Sequence, residues 1–210
     1  MILPFKHCRL SRQLLAGLCT VLAGLAMSLP ATAMTLEQRA ELDLSEYKVT
    51  APKASYFDVD ERMAMLGQTD NPILIQEIDQ LATGQSCKQL MAIDPITTRL
   101  RIPGYYPSPD AWKLASEPLF AFSDSVSGLA GAYMATGDDY YAKCLMRFLD
   151  QWANDKALTN FFYDSKEPQA WFATESMIFA AAMAYSTVEP RLEGMDEEKE
   201  RIETWLNGLA

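Results

Sequence analysis

Apolar residues recur every three or four positions through most of the chain after residue 70, and this spacing predicts a run of α-helices. A glycine follows the first two runs, at positions 84 and 137, and glycine is a common helix stop. The predicted helices cover residues 71–82, 122–136, 138–154, 168–185 and 195–210.

The third run has the clearest amphipathic pattern. One stripe carries apolar residues and the opposite side is polar, which is typical of a helix that packs with one face on a core. Cys144 belongs to this stripe, so we expect its side chain on or near the buried side. The stripe consists of Tyr141, Cys144, Leu145, Phe148 and Trp152.

The fourth run, WFATESMIFAAAMAY, begins near Pro168 and is apolar almost all round. Such a helix is expected to be buried by neighbours on several sides. Glu175 within it must then find a partner or have a raised pKa. Of its two possible roles, a buried structural acid or a catalytic one, we favour the structural role. Trp152 and Trp171 could line a sugar cleft, although tryptophan on an apolar helical stripe is more commonly part of a core.

These helices predict an all-α protein. Consecutive helices with short connections indicate α-hairpins stacked in two layers, as in an incomplete (α/α) toroid, with a simple helical bundle as the rival. A strand is conceivable only at 47–56. The last helix places Ile202, Trp205 and Leu209 on one apolar face, and the apolar pattern continues to the end of the helix at Ala210. We therefore expect a truncated N-terminal part of a longer protein.

The segment RLRIPGYYPSPDAW, residues 99–112, is predicted to be neither helix nor central strand, because its three prolines lack a backbone donor. It nevertheless carries Arg99, Arg101, Tyr105 and Tyr106. One interpretation is a connector whose tyrosines pack back on the protein. The other is a loop that covers a ligand, because binding residues favour loops carried on a rigid scaffold.

Residues 1–33 have the pattern of a signal peptide: basic residues, an apolar run, and the small residues Ala31 and Ala33 before a cleavage site. The apolar run is too short for a good membrane span. We expect an exported protein, residues 34–210, located in the periplasm and free of the membrane after cleavage.

Removal of the leader leaves 15 basic and 28 acidic side chains, since three of the 18 basic residues lie within it. A net charge near −13 excludes nucleic acid and anionic membrane as expected partners. Cys87 and Cys144 are then the remaining cysteines, and an oxidising compartment favours a disulfide over two free thiols.

The only histidine of the sequence, His7, also leaves with the leader. This excludes Ser-His, Cys-His and histidine-metal chemistry from the exported part. The sequence shows no phosphate-binding glycine loop and no metal-ligand spacing, so we expect no cofactor and no metal. Motifs alone predict no catalytic residue here.

Four stretches occur in the order and spacing of one known family: APKASYFDVDERMAML at 51–66, the cysteine in GQSCK, AKCLMRFLDQWANDKAL at 142–158, and IETWLNGLA at 202–210. The chain resembles the mannuronate-specific alginate lyases, periplasmic polysaccharide lyases with an incomplete α/α toroid. The resemblance implies β-elimination on alginate, an anionic uronate polysaccharide, by a monomer without a cofactor. It places the catalytic Asn-His pair, arginine and tyrosine beyond residue 210, so this chain alone is expected to be inactive.

The same resemblance makes the proline-rich segment a lid over bound polymer. Arg101, Tyr105 and Tyr106 match the lid's character, and Arg99 and Trp171 join them as expected substrate-binding residues. Gln169 departs from the basic residue that relatives often carry nearby. Two alternatives remain: a non-catalytic exported protein that binds an anionic glycan or a partner, and a lyase for another uronan such as glucuronan.

Overall fold

The computed structural model describes residues 41, 43, 46, 55–84, 86–160 and 169–209. Contacts divide the chain into two units, residues 1–48 and 49–210. In the first unit the three described residues lie outside any helix or strand. The predicted signal peptide at 1–33 and most of the conceivable strand at 47–56 lie outside the described residues, and Ser55 and Tyr56 are not in a strand.

The regular structure of the second unit is helical, with no strand among its described residues, which confirms the all-α prediction. A single 3₁₀ turn, Glu189–Arg191, follows the sixth helix. The α-helices are α1 Val59–Gly67, α2 Pro72–Gly84, α3 Cys87–Leu90, α4 Pro109–Thr136, α5 Asp139–Asn154, α6 Gln169–Val188 and α7 Asp196–Leu209.

Helices α4 and α5 form an α-hairpin because two residues suffice to reverse the chain between them. Gly137 takes a left-handed φ of 68° and donates its N–H to the carbonyl of Tyr133 at 2.7 Å. Only glycine adopts this conformation at little cost. Asp138 then caps α5 by accepting a hydrogen bond from the N–H of Tyr140.

Helices α6 and α7 form the second hairpin, which is closed by one lysine. The Lys199 ammonium donates to the carbonyl oxygens of Glu189 and Leu192 and forms an ion pair with the Glu189 carboxylate at 3.0 Å. These carbonyls belong to the turn after α6, where the helix itself offers no donor. The lysine therefore stabilises the turn between α6 and α7 through two hydrogen bonds and one ion pair.

The two hairpins stack in two layers, with α4 against α6 in the first layer and α5 against α7 in the second. The C-terminal ends of α4 and α6 both lie next to α1. Met63 of α1 is next to Gly137, which follows α4, and Asp60 of α1 pairs at 2.7 Å with Arg191, which follows α6. Helices α4 and α6 therefore run in the same direction. This arrangement confirms the predicted two-layer stack of an incomplete α/α toroid.

A buried aromatic cluster joins the layers. The Phe122 ring of α4 lies 5.8 Å from Phe148 and 4.2 Å from Trp152, both on α5, and 6.5 Å from Trp205 on α7. The Trp205 indole N–H donates to the carbonyl of Ala157 at 2.8 Å, so its polar atom is satisfied inside the core. Trp152 is fully buried, as predicted for a core tryptophan.

The prediction for the start of α4 was wrong. The helix begins at Pro109, not near Phe122, and includes the last four residues of the segment predicted to be irregular. Pro109 is tolerated because the first turn needs no intrahelical N–H donor. Pro118 is tolerated within the helix because Leu114, whose carbonyl it leaves without a donor, is exposed to water.

The prediction that α6 is buried by neighbours on several sides was partly right, because the helix contacts α4, α5 and α7 but leaves one side exposed. Trp171, Phe172 and Phe179 are 39%, 61% and 63% exposed, and Glu175 is exposed instead of being a buried carboxylate. The helix buries only the side that faces α4 and the second layer. The buried residues are Ala170, Thr174, Met177, Ala181, Ala184, Tyr185, Thr187 and Val188.

Cys87 and Cys144 form a disulfide, with a Cα–Cα distance of 5.7 Å, which confirms the predicted pairing. The Cys87 N–H also donates to the Tyr140 hydroxyl at 3.1 Å. Helix α3 is thereby held against α5, and Cys144 lies on the buried face predicted for it. In the part of the chain that the structure describes, no helix is both long and apolar enough to traverse a lipid bilayer.

We predict that the disulfide contributes substantially to stability, because it closes a loop of 57 residues. Loop-closure entropy for that length corresponds to about 4 kcal/mol of unfolding free energy. Native protein should resist alkylation by iodoacetamide until it is reduced, and reduction should lower the melting temperature. Two alkylated thiols in the non-reduced native protein would contradict this pairing.

Candidate functional site

The segment between α3 and α4 is fastened at its base to the turn that follows α5. The Leu158 N–H donates to the carbonyl of Ile96 at 2.8 Å, and the Leu100 N–H donates to the carbonyl of Asn160 at 3.3 Å. The Ile102 side chain is buried in the core. The proline-rich loop, residues 103–108, thus projects from a fixed base.

The turn that receives this base has an unusual backbone. Lys156 and Leu158 have φ values of 51° and 62°, the left-handed region that side chains other than glycine rarely adopt. Each such residue costs about 1–2 kcal/mol. The conformation places Leu158 in the core while its N–H reaches Ile96, so the turn's strain is coupled to the anchoring of the loop.

Four aromatic rings form a continuous row from the loop onto α4. Tyr106 is 93% exposed at the tip, and Tyr105 is 50% exposed and packs edge-on against Trp112 at 5.2 Å. Trp112 in turn contacts Phe120 at 5.8 Å. The sequence prediction missed Phe120 because it began α4 too late; the helical spacing of positions 112, 116 and 120 was the available signal.

The two arginines occupy a separate groove. Arg99 and Arg101 are exposed and line a groove of about 450 Å³ with Leu114 and Pro118 of α4, and neither lid tyrosine is among the residues that line it. At 100° per residue, Leu114 lies on the side of α4 opposite Trp112. The structure therefore brings the arginines together and the tyrosines together, on opposite flanks of the first turns of α4.

Trp171 lies in the first turn of α6. Helices α4 and α6 are parallel and both end at α1, but α4 has 28 residues and α6 has 20. The first turn of α6 therefore lies about 12 Å short of the first turn of α4 along their common direction. Trp171 is thus separated from the two arginines and the two tyrosines, which flank the first turns of α4.

A second groove, of about 410 Å³, runs between α4 and α6. Its lining is made of apolar and hydroxyl side chains from both helices, together with Phe57 from the residues before α1. The α4 and α6 residues that line it are Ser123, Ser127, Ala130, Gly131, Met134, Ser176, Phe179, Ala180, Met183, Ala184 and Thr187.

Two buried tyrosines, Tyr133 and Tyr185, are poor candidates for the base in proton transfer. Burial, followed by the hydrogen bond to Glu203, raises the pKa of Tyr185 far above its ordinary value. Burial, followed by the charge of Asp139, raises the pKa of Tyr133. Both shifts favour the protonated phenol, whereas a tyrosine that acts as a base needs a lowered pKa.

The described residues also contain no group of acidic, cysteine or histidine side chains that could hold a metal.

Solved structures of alginate lyase A1-III resemble this chain. The enzyme from Sphingomonas species A1 has a TM-score of 0.63 at 28% identity, and the match covers 80% of this chain and 48% of that enzyme. A tyrosine-to-phenylalanine variant of A1-III complexed with tetrasaccharide matches at TM-score 0.63 and 30% identity, covering 80% of this chain and 47% of that one. A histidine-to-alanine variant, also complexed with tetrasaccharide, gives 0.64 and 28%, with 80% and 48% covered.

Sequence comparison agrees with the structural match. A polysaccharide lyase of Stenotrophomonas maltophilia (strain K279a) is 30% identical over 98 residues, which cover 47% of this chain and 29% of that protein. The chain thus spans about half or less of the length of these relatives. The family model described as alginate lyase matches residues 61–210, more than half of the chain, and the chain therefore belongs to the alginate lyase family.

Proposed function

We propose that this chain is the glycan-binding N-terminal part of an exported, periplasmic lyase that cleaves polymannuronate by β-elimination. The observation that carries the proposal is the groove that holds both arginines, with the exposed tyrosines on the opposite flank of the first turns of α4. A carboxylate-bearing polymer needs local cations to approach a protein whose net charge is −10 with its leader.

In β-elimination on a uronate, a base removes the proton on C5 and the electrons form the C4–C5 double bond. The C4–O4 bond then breaks, and an acid delivers a proton to the departing O4. Neutralising the uronate carboxylate makes the C5 proton more acidic. The guanidinium groups of Arg99 and Arg101 can bind carboxylates of the polysaccharide through two hydrogen bonds each and neutralise their charge. Tyr105 and Tyr106 offer ring faces to the sugars.

The described residues support binding more directly than proton transfer. Tyr133 and Tyr185 have raised pKa values, and the sequence has no histidine beyond His7. We assign the acid and base to the part of the relatives that this chain does not span. A protein that binds the glycan without cleaving it is the second candidate, favoured by the same observation.

The first prediction concerns the lid. Arg101→Ala should weaken binding of a mannuronate hexasaccharide about tenfold, because a charge-assisted hydrogen bond is worth about 1.5–3 kcal/mol. The loss should shrink as salt rises, and Tyr106→Ala should weaken binding a few-fold with no salt dependence. Isothermal titration calorimetry measures both effects, with melting temperatures unchanged.

Arg147→Ala is the matched control, because Arg147 is exposed on α5 in the second layer and its loss changes the net charge equally. An equal loss of affinity in this control would mean that the arginines act only through net charge. A fall in melting temperature with Tyr106→Ala would instead make the tyrosine a packing residue.

The second prediction concerns catalysis. The complete product of the gene should release unsaturated uronate from polymannuronate. The ultraviolet absorbance of the unsaturated product measures this release. The 210-residue chain alone should be at least about 10⁴-fold slower, because proton transfer and electrostatic stabilisation are each worth about a hundredfold or more. Comparable turnover by the 210-residue chain would show that its own residues complete the active site. Inactivity of the complete product would favour the binding protein.

A further inference from the structure

The aromatic row that starts on the proline-rich loop leads along α4 to the groove between α4 and α6. Phe120 is the last ring of the row, and Ser123 and Ser127 follow it at spacings of three and seven residues. Residues at these spacings lie on one face of a helix. Because both serines line the groove, the groove opens about one helical turn beyond the end of the row.

Helix α6 brings a second exposed ring to the same level. The two helices are parallel and end together at α1. Phe120 lies 16 residues before the last residue of α4, and Phe172 lies 16 residues before the last residue of α6. Phe172 also precedes Ser176 by four residues and Phe179 by seven, and both of these line the groove. Exposed rings of both helices therefore stand at the level where the groove begins.

The lining of the groove suits a sugar chain. A pyranose ring presents C–H groups on its faces and oxygen atoms at its edges, so it needs apolar surface together with hydroxyl partners. The described residues that line this groove are uncharged, and a uronate can keep its carboxylate in water at the edge of the ring. The apolar side chains include Phe57, Met134, Phe179 and Met183, and the hydroxyls are those of Ser123, Ser127, Ser176 and Thr187.

The row and the groove have comparable lengths. Successive ring centroids from Tyr106 through Tyr105 and Trp112 to Phe120 are 5.6, 5.2 and 5.8 Å apart. This spacing resembles the length of one β-1,4-linked pyranose unit. The part of α4 that lines the groove, 123–134, is about 16 Å long. Each of the two is therefore long enough for a short oligosaccharide.

We infer that the aromatic row and the groove between α4 and α6 form one continuous track that binds successive uronate units along α4. The loop of residues 103–108 connects the flank of Arg101 with the flank of Trp112, so one polymer can contact the arginines and enter the track. This inference rests on the proposed function, which identifies the ligand as a uronate polysaccharide. It adds binding subsites beyond the loop, so affinity must depend on the length of the polymer.

The test compares a mannuronate tetrasaccharide with the octasaccharide by isothermal titration calorimetry on the full chain. The octasaccharide should bind at least about tenfold more tightly, because it alone reaches from the loop into the groove and its linked units bind together. Equal affinity of the two oligosaccharides would overturn the inference.

Variants of the groove then locate the effect of length. Ser127→Glu adds a carboxylate at an exposed position of the lining, and like charges repel. It should weaken octasaccharide binding about tenfold, by less at high salt, and leave the tetrasaccharide unchanged. Thr204→Glu is the matched control, because Thr204 is exposed on α7 in the second layer and the change in charge is equal. An equal loss of octasaccharide affinity in this control would overturn the inference.

Removal of a ring from the groove tests the same subsites without a change in charge. Phe179→Ala should weaken octasaccharide binding a few-fold at every salt concentration and leave the tetrasaccharide unchanged. The melting temperature should stay the same, because the Phe179 ring is 63% exposed. Unchanged octasaccharide affinity in both Ser127→Glu and Phe179→Ala would place the ligand outside the groove and overturn the inference.

The inference and the proposed function fail differently. If the two oligosaccharides bind equally and Arg101→Ala weakens both, the proposed function stands and the inference fails. If neither oligosaccharide binds, both fail. If Ser127→Glu weakens the octasaccharide while Arg101→Ala has no effect, the inference stands and the role of the lid arginines fails.

Discussion

Contact of the Phe122 ring with Phe148, Trp152 and Trp205 is the interaction on which the rest of the structure depends. It joins one helix of the first layer to both helices of the second. Removing a fully buried phenylalanine ring costs about 3–5 kcal/mol, a large fraction of the stability of most domains. The relative positions of the two hairpins, and therefore of both grooves on α4, follow from this contact.

The layers differ in what they leave exposed. Helix α5 buries its apolar stripe and exposes polar residues such as Lys143 and Arg147, as expected of an outer surface. Helices α4 and α6 keep Phe120, Phe172 and Phe179 exposed. Exposed aromatic rings next to polar groups are typical of binding surfaces, and we therefore propose the first layer as the functional one. The loop of Tyr105 and Tyr106 extends the same aromatic surface.

The sequence predicted some features well because they are local. The stripe of α5 is encoded by its own periodicity, and the pairing of Cys87 with Cys144 follows from their number and compartment. The exposure of α6 was not predictable, because an apolar helix does not reveal how many neighbours it has. The separation of Arg101 from Tyr105 was hidden for a similar reason, since residues four apart on a loop can lie on opposite flanks of the following helix.

The most direct test of the first layer as the binding surface is hydrogen-exchange mass spectrometry of the full chain with and without a hexasaccharide that binds it. The account predicts slower exchange in peptides that cover residues 99–124 and 171–183. Peptides from α5 and α7 should not change, although these helices border a groove of about 470 Å³ of their own. Protection confined to residues 153–160 and 200–208 would place the ligand in that second-layer groove and contradict the account.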